Sequence, residues 1–159
     1  MQSQLSRTKT IPTLKLIPHK SINISQLNKL ATNTLAEVLQ MEVTAIGADF
    51  LTMKMPVNSR VHQPLGMLHG GAVAALAENV ASLAGNLVVG PDKACVGLSL
   101  NTNHLKAVRE GEVFATAKFI HLGRRTQVWE VETKNSDGQL INVSRMTLVV
   151  IDKEKSTRG

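Results

Sequence analysis

Residues 62–85 read HQPLGMLHGGAVAALAENVASLAG, and no other stretch constrains the fold as strongly. From Gly70 to about Leu87, apolar and small residues fall on every side of a helical wheel, so a helix here lacks an ordinary solvent face. Such a helix has to be wrapped rather than laid on a surface, and its Ala and Gly residues let the wrapping layer come close. Glu78 sits in the middle. It is the only Asp, Glu, Lys or Arg between Arg60 and Asp92.

The rest of the chain supplies the wrapping. From residue 23, NISQLNKLATNTLAEVLQ carries Ile24, Leu27, Leu30, Ala31, Leu35 and Val38 near helical spacing, with Asn23 or Ser25 as its cap. MEVTAIGADFLTMKMPV predicts two strands, or one bent strand, broken near Gly47–Ala48–Asp49, and residues 58–68 predict a loop. After GPD at 90–92, Val96, Leu98 and Leu100 alternate with Gly97, Ser99 and Asn101. Val113, Ala115, Ala117 and Phe119 alternate again, and Gln127, Trp129, Val131 and Thr133 share a face. NSDG at 135–138 is a tight turn into the last strand, LINVSRMTLVVI. This layout predicts one α+β domain, an antiparallel sheet wrapped around one long central helix. Its expected span is 23–152, after a basic N-terminal extension at 1–22 and before a solvated tail at 153–159.

Charge and composition exclude several classes of function. The net charge is +6, which suits an anionic partner. Only three Phe and one Trp are present, and the cations are scattered, which argues against nucleic acid and for a phosphate-bearing small molecule. The single cysteine, Cys95, rules out an internal disulfide and a clustered-cysteine metal site. It favours a reducing compartment, and a cytoplasmic protein is expected. No run of the sequence reads as a membrane span. Arg7, Lys9, Lys15, Lys20 and Lys29 precede the first acid, Glu37, a composition that an extension and an organelle transit peptide share. His19, His62 and His121 read as surface or structural residues.

Glu78 has two readings from sequence alone. It points out through a gap or pairs with a distant cation, or it is a working carboxylate. Ser82 follows at i+4 and shares its face. His69–Gly70–Gly71 stand at the helix N-terminus, where the first N–H groups lack partners and the dipole favours negative charge. The two glycines should leave those N–H groups unobstructed, a candidate oxyanion site. Gln63, on the incoming loop, brings an amide donor. A carboxylate, an oxyanion donor, a second polariser and a hydroxyl suit attack on an acyl carbonyl. No nucleophilic Ser lies in a G-x-S-x-G turn, so Glu78 would act directly or through water.

QPLGMLHGGAVAALAENVASLAG, followed by GLSLNTNHLKAVREG, HLGRRTQVWEVE and SRMTLVV, resembles the hotdog-fold acyl-CoA thioesterases. The aroyl-CoA group is the nearest in pattern, with the 4-hydroxybenzoyl-CoA and 1,4-dihydroxy-2-naphthoyl-CoA enzymes among it. The resemblance covers residues 24–151. It implies that Glu78 is the catalytic carboxylate, that the Gly70 N–H binds the thioester oxygen, that Gln63 orients it, and that Ser82 lies near the attacking water. It implies that His69, Gly71, Asn79 and His104 line the substrate site, with Asn79 where relatives often have Ser. It also implies an aromatic, hydroxylated acyl group, no metal and no cofactor beyond the coenzyme A of the substrate. The assembly it implies is a homodimer paired into a tetramer, with each pocket between two subunits.

Gly123, Arg124 and Arg125, with Lys106 and Arg109, either hold the coenzyme A phosphates or are solvated loop residues. His104 is either a strand-end structural residue or a substrate contact. Two other functions stay open on the same fold. One is a dehydratase or hydratase of acyl thioesters, and the other a non-catalytic acyl-CoA sensor.

Overall fold

The computed structural model describes residues 17–153. Most of the N-terminal extension and of the tail therefore lies outside the described residues. Ile17 is buried, and its N–H donates to the Ala48 carbonyl at 2.9 Å. The helical spacing after residue 23 gives two short helices, α1 (Ile24–Lys29) and α2 (Leu35–Val38), in place of the single one expected. Asn23 is the cap of α1, its side chain accepting from the Ser25 N–H at 2.8 Å. Asn33 then adopts a left-handed φ of 61°, which a right-handed helix cannot pass through. The break takes Leu35 and Val38 off the stripe that buries Leu27, and both are exposed along with Leu30.

Strands β1 (Glu42–Ile46) and β2 (Phe50–Val57) pair as a hairpin. The stretch expected to be loop contains a two-stranded ribbon, β3 (His62–Gln63) against β4 (Met67–Leu68). It leads into the long helix α3 (Gly70–Val88), followed by β5 (Lys93–His104), β6 (Gly111–Leu122), β7 (Thr126–Asn135) and β8 (Leu140–Asp152). The main sheet has six antiparallel strands in the order β1-β2-β6-β7-β8-β5. Period-two alternation turns Leu51, Met53 and Met55 of β2, Val113, Ala115 and Ala117 of β6, and Trp129 and Val131 of β7 into one core. The Trp129 indole N–H donates to Gln127 Oε1 at 2.9 Å, and its ring meets Phe119 edge-on at 5.9 Å. This satisfies a polar atom inside an otherwise apolar layer.

Helix α3 packs on that core through Val73, Leu76, Ala77, Val80, Ala81, Ala84 and Gly85. Its opposite stripe is not covered by the other described residues. Gly71, Glu78 and Asn86 are exposed there, with Ala75 and Ser82 half-buried between them. The wrapping expected from composition is thus complete on one side only. By length and a mean hydropathy of 1.3 this helix would also suffice to span a membrane, contrary to the sequence expectation. Its buried stripe makes it the core helix instead.

The expected alternation in β5 also fails. A bulge between Gly97 and Ser99 shifts the register against β8, and the extra residue breaks the period. Val96 and Leu98 are exposed, while Cys95 is buried against α3. Burial pushes the Cys95 thiol up, and it donates to the Gly85 carbonyl. β5 is an edge strand of twelve residues, and its outer side has no partner strand among the described residues.

Candidate active site

The N-terminus of α3 is built by His69. Its Nδ1 accepts the Gly71 N–H at 2.8 Å, so His69 caps the helix. This corrects the expectation of two unobstructed glycine N–H groups. Gly71 is occupied by the cap, whereas the Gly70 N–H has no acceptor among the described residues. Gln63 of β3 faces the same region. Its Oε1 accepts from the Leu65 N–H, which fixes the amide orientation and leaves Nε2 as a donor without an acceptor among the described residues. Gln63, Gly70, Val73, His104 and Lys106 line one cavity of about 310 Å³. His104, at the end of β5, packs so closely on the helix that a Cβ on Gly70 would lie 2.6 Å from its Nε2. Arg109 is committed to structure: its guanidinium donates to the carbonyls of Leu65 and Gly66 at 3.0 and 3.1 Å. That holds the loop before α3 in place, and His62 Nε2 meets the Arg109 carbonyl at 2.8 Å.

Glu78 occupies a different place. Its carboxylate is exposed and has no hydrogen bond or ion pair among the described residues. The distant cation of one sequence reading is therefore absent from the described residues. Leu35, Ala75, Glu78, Asn79 and Ser82 line a second cavity, also about 310 Å³. Asn79 and Ser82 are shared with a third cavity of about 230 Å³ beneath α1, whose walls include Leu27, Leu30, Met53 and Leu83. The Glu78 carboxylate rests on Gly97, beside the bulge of β5.

Residues 70 and 78 are about 12 Å apart along a helix axis and about 80° around it. One chain therefore presents the Gly70 and Gln63 donors and the Glu78 carboxylate in separate cavities. Asn79 lies with Glu78, whereas His69 and His104 lie with Gly70. The basic groups divide likewise. Lys106 is at the end of the sheet where β5 finishes, while Gly123, Arg124 and Arg125 form the β6–β7 turn at the end where β5 begins. The two sets are separated by the length of β5, about 35 Å for a flat strand. Arg124 and Arg125 are exposed.

Three residues escape sequence reasoning. Gly97 reads there only as part of an alternation. Asn86 fastens α3 to β5, with Oδ1 accepting the Cys95 N–H at 3.0 Å and Nδ2 donating to the Cys95 and Ser82 carbonyls. Its i+4 and i+8 spacing from Ser82 and Glu78 is the available signal. Asn142 is a polar residue at a buried strand position, two residues before the equally buried Ser144, and the mixed LINVSR run gives no period that marks either as buried.

A sheet curled on one helix, with an N–H donor at the helix start and a carboxylate two turns on, is an arrangement that suits attack on an acyl carbonyl. Comparison with known proteins identifies the family. The model of the thioesterase superfamily matches residues 65–142. The chain is 39% identical over 136 residues to 1,4-dihydroxy-2-naphthoyl-CoA hydrolase of Escherichia coli K12, covering 86% of this chain and 100% of that one. It is 38% identical to the proofreading thioesterase EntH of Cronobacter turicensis, covering 86% and 99%. A solved thioesterase structure from Haemophilus influenzae superposes with a TM-score of 0.83 at 42% identity, covering 87% of this chain and 97% of that one. The chain belongs to the thioesterase superfamily. It has the hotdog fold and is a thioester hydrolase, which sets aside the dehydratase and sensor readings.

Proposed function

We propose that the protein hydrolyses an aromatic, hydroxylated acyl-CoA to the free acid and coenzyme A, at sites shared between two subunits. The observation that carries the reading is the division of the site. Donors at Gly70 and Gln63 need a carboxylate, and Glu78, without a partner among the described residues, needs a carbonyl, yet the two line separate cavities of one chain. The partner's copy of each group meets the need of the other. The long unpaired edge of β5 supports such pairing, because an open edge with exposed Val96 and Leu98 is a ready surface for a second strand. A two-fold antiparallel pairing of β5 with β5 also brings the Arg124 end of one subunit to the Lys106 end of the other. The coenzyme A phosphates are assigned to that junction. Pairing of dimers into a tetramer follows the family resemblance.

The thioester oxygen accepts from the Gly70 N–H and the Gln63 amide. Charge that develops on it in the transition state is stabilised by these fixed dipoles and by the positive end of α3. Glu78 attacks the acyl carbon, or takes a proton from a water that attacks it, with Ser82 placed to hold that water. In either route the carbon–sulfur bond breaks and coenzyme A leaves as the thiol once protonated. Where water attacks, the acid takes the water oxygen directly; where Glu78 attacks, the acyl–Glu78 anhydride is hydrolysed by a water that releases the acid and restores the carboxylate. No cofactor enters these steps. The acyl group extends past Ala75 and Ser82 into the cavity beneath α1, where Asn79 can pair with a ring hydroxyl.

The two relatives named above support hydrolysis, and the first carries an aromatic acyl-CoA in its name. The test is kcat/KM for 4-hydroxybenzoyl-, benzoyl-, hexanoyl- and dodecanoyl-CoA. A polar group left unpaired disfavours the analogue that lacks its partner, so the hydroxylated aroyl substrate should lead. An order-of-magnitude advantage for dodecanoyl-CoA would refute the aroyl assignment.

A further inference from the structure

Beneath His104 lies a closed set of hydrogen bonds that the reaction as described does not use. Asn142 and Ser144 of β8 are both buried. Ser144 Oγ donates to Asn142 Oδ1 at 2.7 Å, Thr102 Oγ1 meets Ser144 Oγ at 2.8 Å, and Asn142 Nδ2 donates to Thr102 Oγ1 at 2.7 Å. The Ser144 hydrogen is spent on Asn142, so the Thr102 hydroxyl donates to Ser144 and the ring closes. One Asn142 hydrogen remains for its two other neighbours, the Asn103 carbonyl at 3.0 Å and His104 Nδ1 at 3.1 Å.

The orientation of the Asn142 amide follows from chemistry. A carbonyl only accepts, so the Asn142 atom facing the Asn103 oxygen must be Nδ2. The same NH₂ group faces His104 Nδ1, which must then accept. The ring proton is thereby placed on Nε2, at the opposite edge. That edge packs on Gly70, lines the cavity that Gln63 shares, and has no acceptor among the described residues.

We propose that Asn142 is a positioning residue: through its amide it holds His104 as the Nε2–H tautomer, aimed at the oxygen site of Gly70 and Gln63. His104 then supplies a third donor to the thioester oxygen. The inference rests on the thioesterase reading for what the donor does, and on local geometry alone for which nitrogen carries the proton.

Two measurements separate those parts. Nitrogen-15 spectra of histidine-labelled protein near neutral pH, with His104 assigned by its loss in His104→Gln, should show an unprotonated Nδ1 and a protonated Nε2. Asn142→Asp keeps the side-chain volume but presents an acceptor to Nδ1, and should move the proton there. A protonated Nδ1 in the unaltered protein would overturn the inference whether or not any acyl-CoA is hydrolysed. In kinetics, Asn142→Ala should lower kcat about tenfold, the lower end of what outer partners of histidines carry in metal sites, with little change in KM. In the His104→Ala background the same change should cost nothing further, because its effect passes through His104. Losses that multiply in the double variant would show a merely structural role and refute the proposal. If no acyl-CoA is turned over at all, the thioesterase reading fails and the spectra still decide the tautomer.

Discussion

Glu78 and Gly97 touch across the seam between the central helix and the edge strand: a Cβ on Gly97 would lie 2.6 Å from Glu78 Oε1 and 2.7 Å from Met146 Cε. Both neighbours are the far ends of flexible side chains. Gly97→Ala should therefore fold, with a cost of about 1–3 kcal/mol for overpacking. The displaced carboxylate should lose much more in rate, since a misplacement of about 1 Å can cost roughly 10²-fold. Thermal melting and kcat on one preparation check this. A lowered Tm with unchanged kcat would mean that the contact with Gly97 does not position the carboxylate.

A site shared between subunits, as proposed, makes a quantitative prediction for mixed subunits. Gln63→Ala and Glu78→Gln should each be nearly inactive as homodimers. In a mixed dimer, one site combines the intact Gln63 of one subunit with the intact Glu78 of the other, and the second site carries both changes. Random pairing gives half mixed dimers, each with one intact site of two, so co-expression should restore about a quarter of full activity. No recovery in demonstrated mixed dimers would place both groups in one subunit's site.

Arg124 should act on binding. If it meets a coenzyme A phosphate, the contact is equal in ground and transition states, and Arg124→Ala raises KM more than it lowers kcat. Added salt should weaken binding by the unaltered protein in parallel. An unchanged KM would move the nucleotide site to other residues.

The helix and strands are legible in the sequence because their signals are periodic: the wrapped α3, and the alternation that buries Gln127, Trp129, Val131 and Thr133. What escapes depends on single residues that override a period. Asn33 breaks the first helix through one positive φ, and the bulge at Gly97 rotates Val96 and Leu98 outward. Glu78, Gly70 and Gln63 stand out in the sequence as candidates, because a lone carboxylate in an apolar helix and a glycine-opened helix start are unusual in a core element. The spacing of Gly70 and Glu78 along one helix already holds them about 12 Å apart, whereas the walls that make two cavities come from distant parts of the chain, His104 and Ile141 around Gly70 and Leu35 beside Glu78. His69 stands out as a candidate but not as a cap, and Asn142 is hidden because the mixed LINVSR run does not mark which of its residues face inward.

From sequence, removal of Glu78 is expected to hold or raise stability, on the ground that a buried charge is relieved. In the single chain the carboxylate is exposed, so any rise has to come from burial between subunits. Dilution from dimer to monomer should accordingly shift the Tm of Glu78→Gln relative to the unaltered protein. An identical difference at all concentrations would leave the carboxylate outside the interface.

Thiol release from 4-hydroxybenzoyl-CoA by the unaltered protein and by Glu78→Gln tests the role of the carboxylate most directly. The unaltered protein should turn over steadily. Glu78→Gln, folded and equally assembled, should lose at least about 10²-fold in kcat, the scale of a positioned acid–base group. Near-normal turnover by Glu78→Gln would contradict the assignment of Glu78 as the group that attacks the thioester or activates its water.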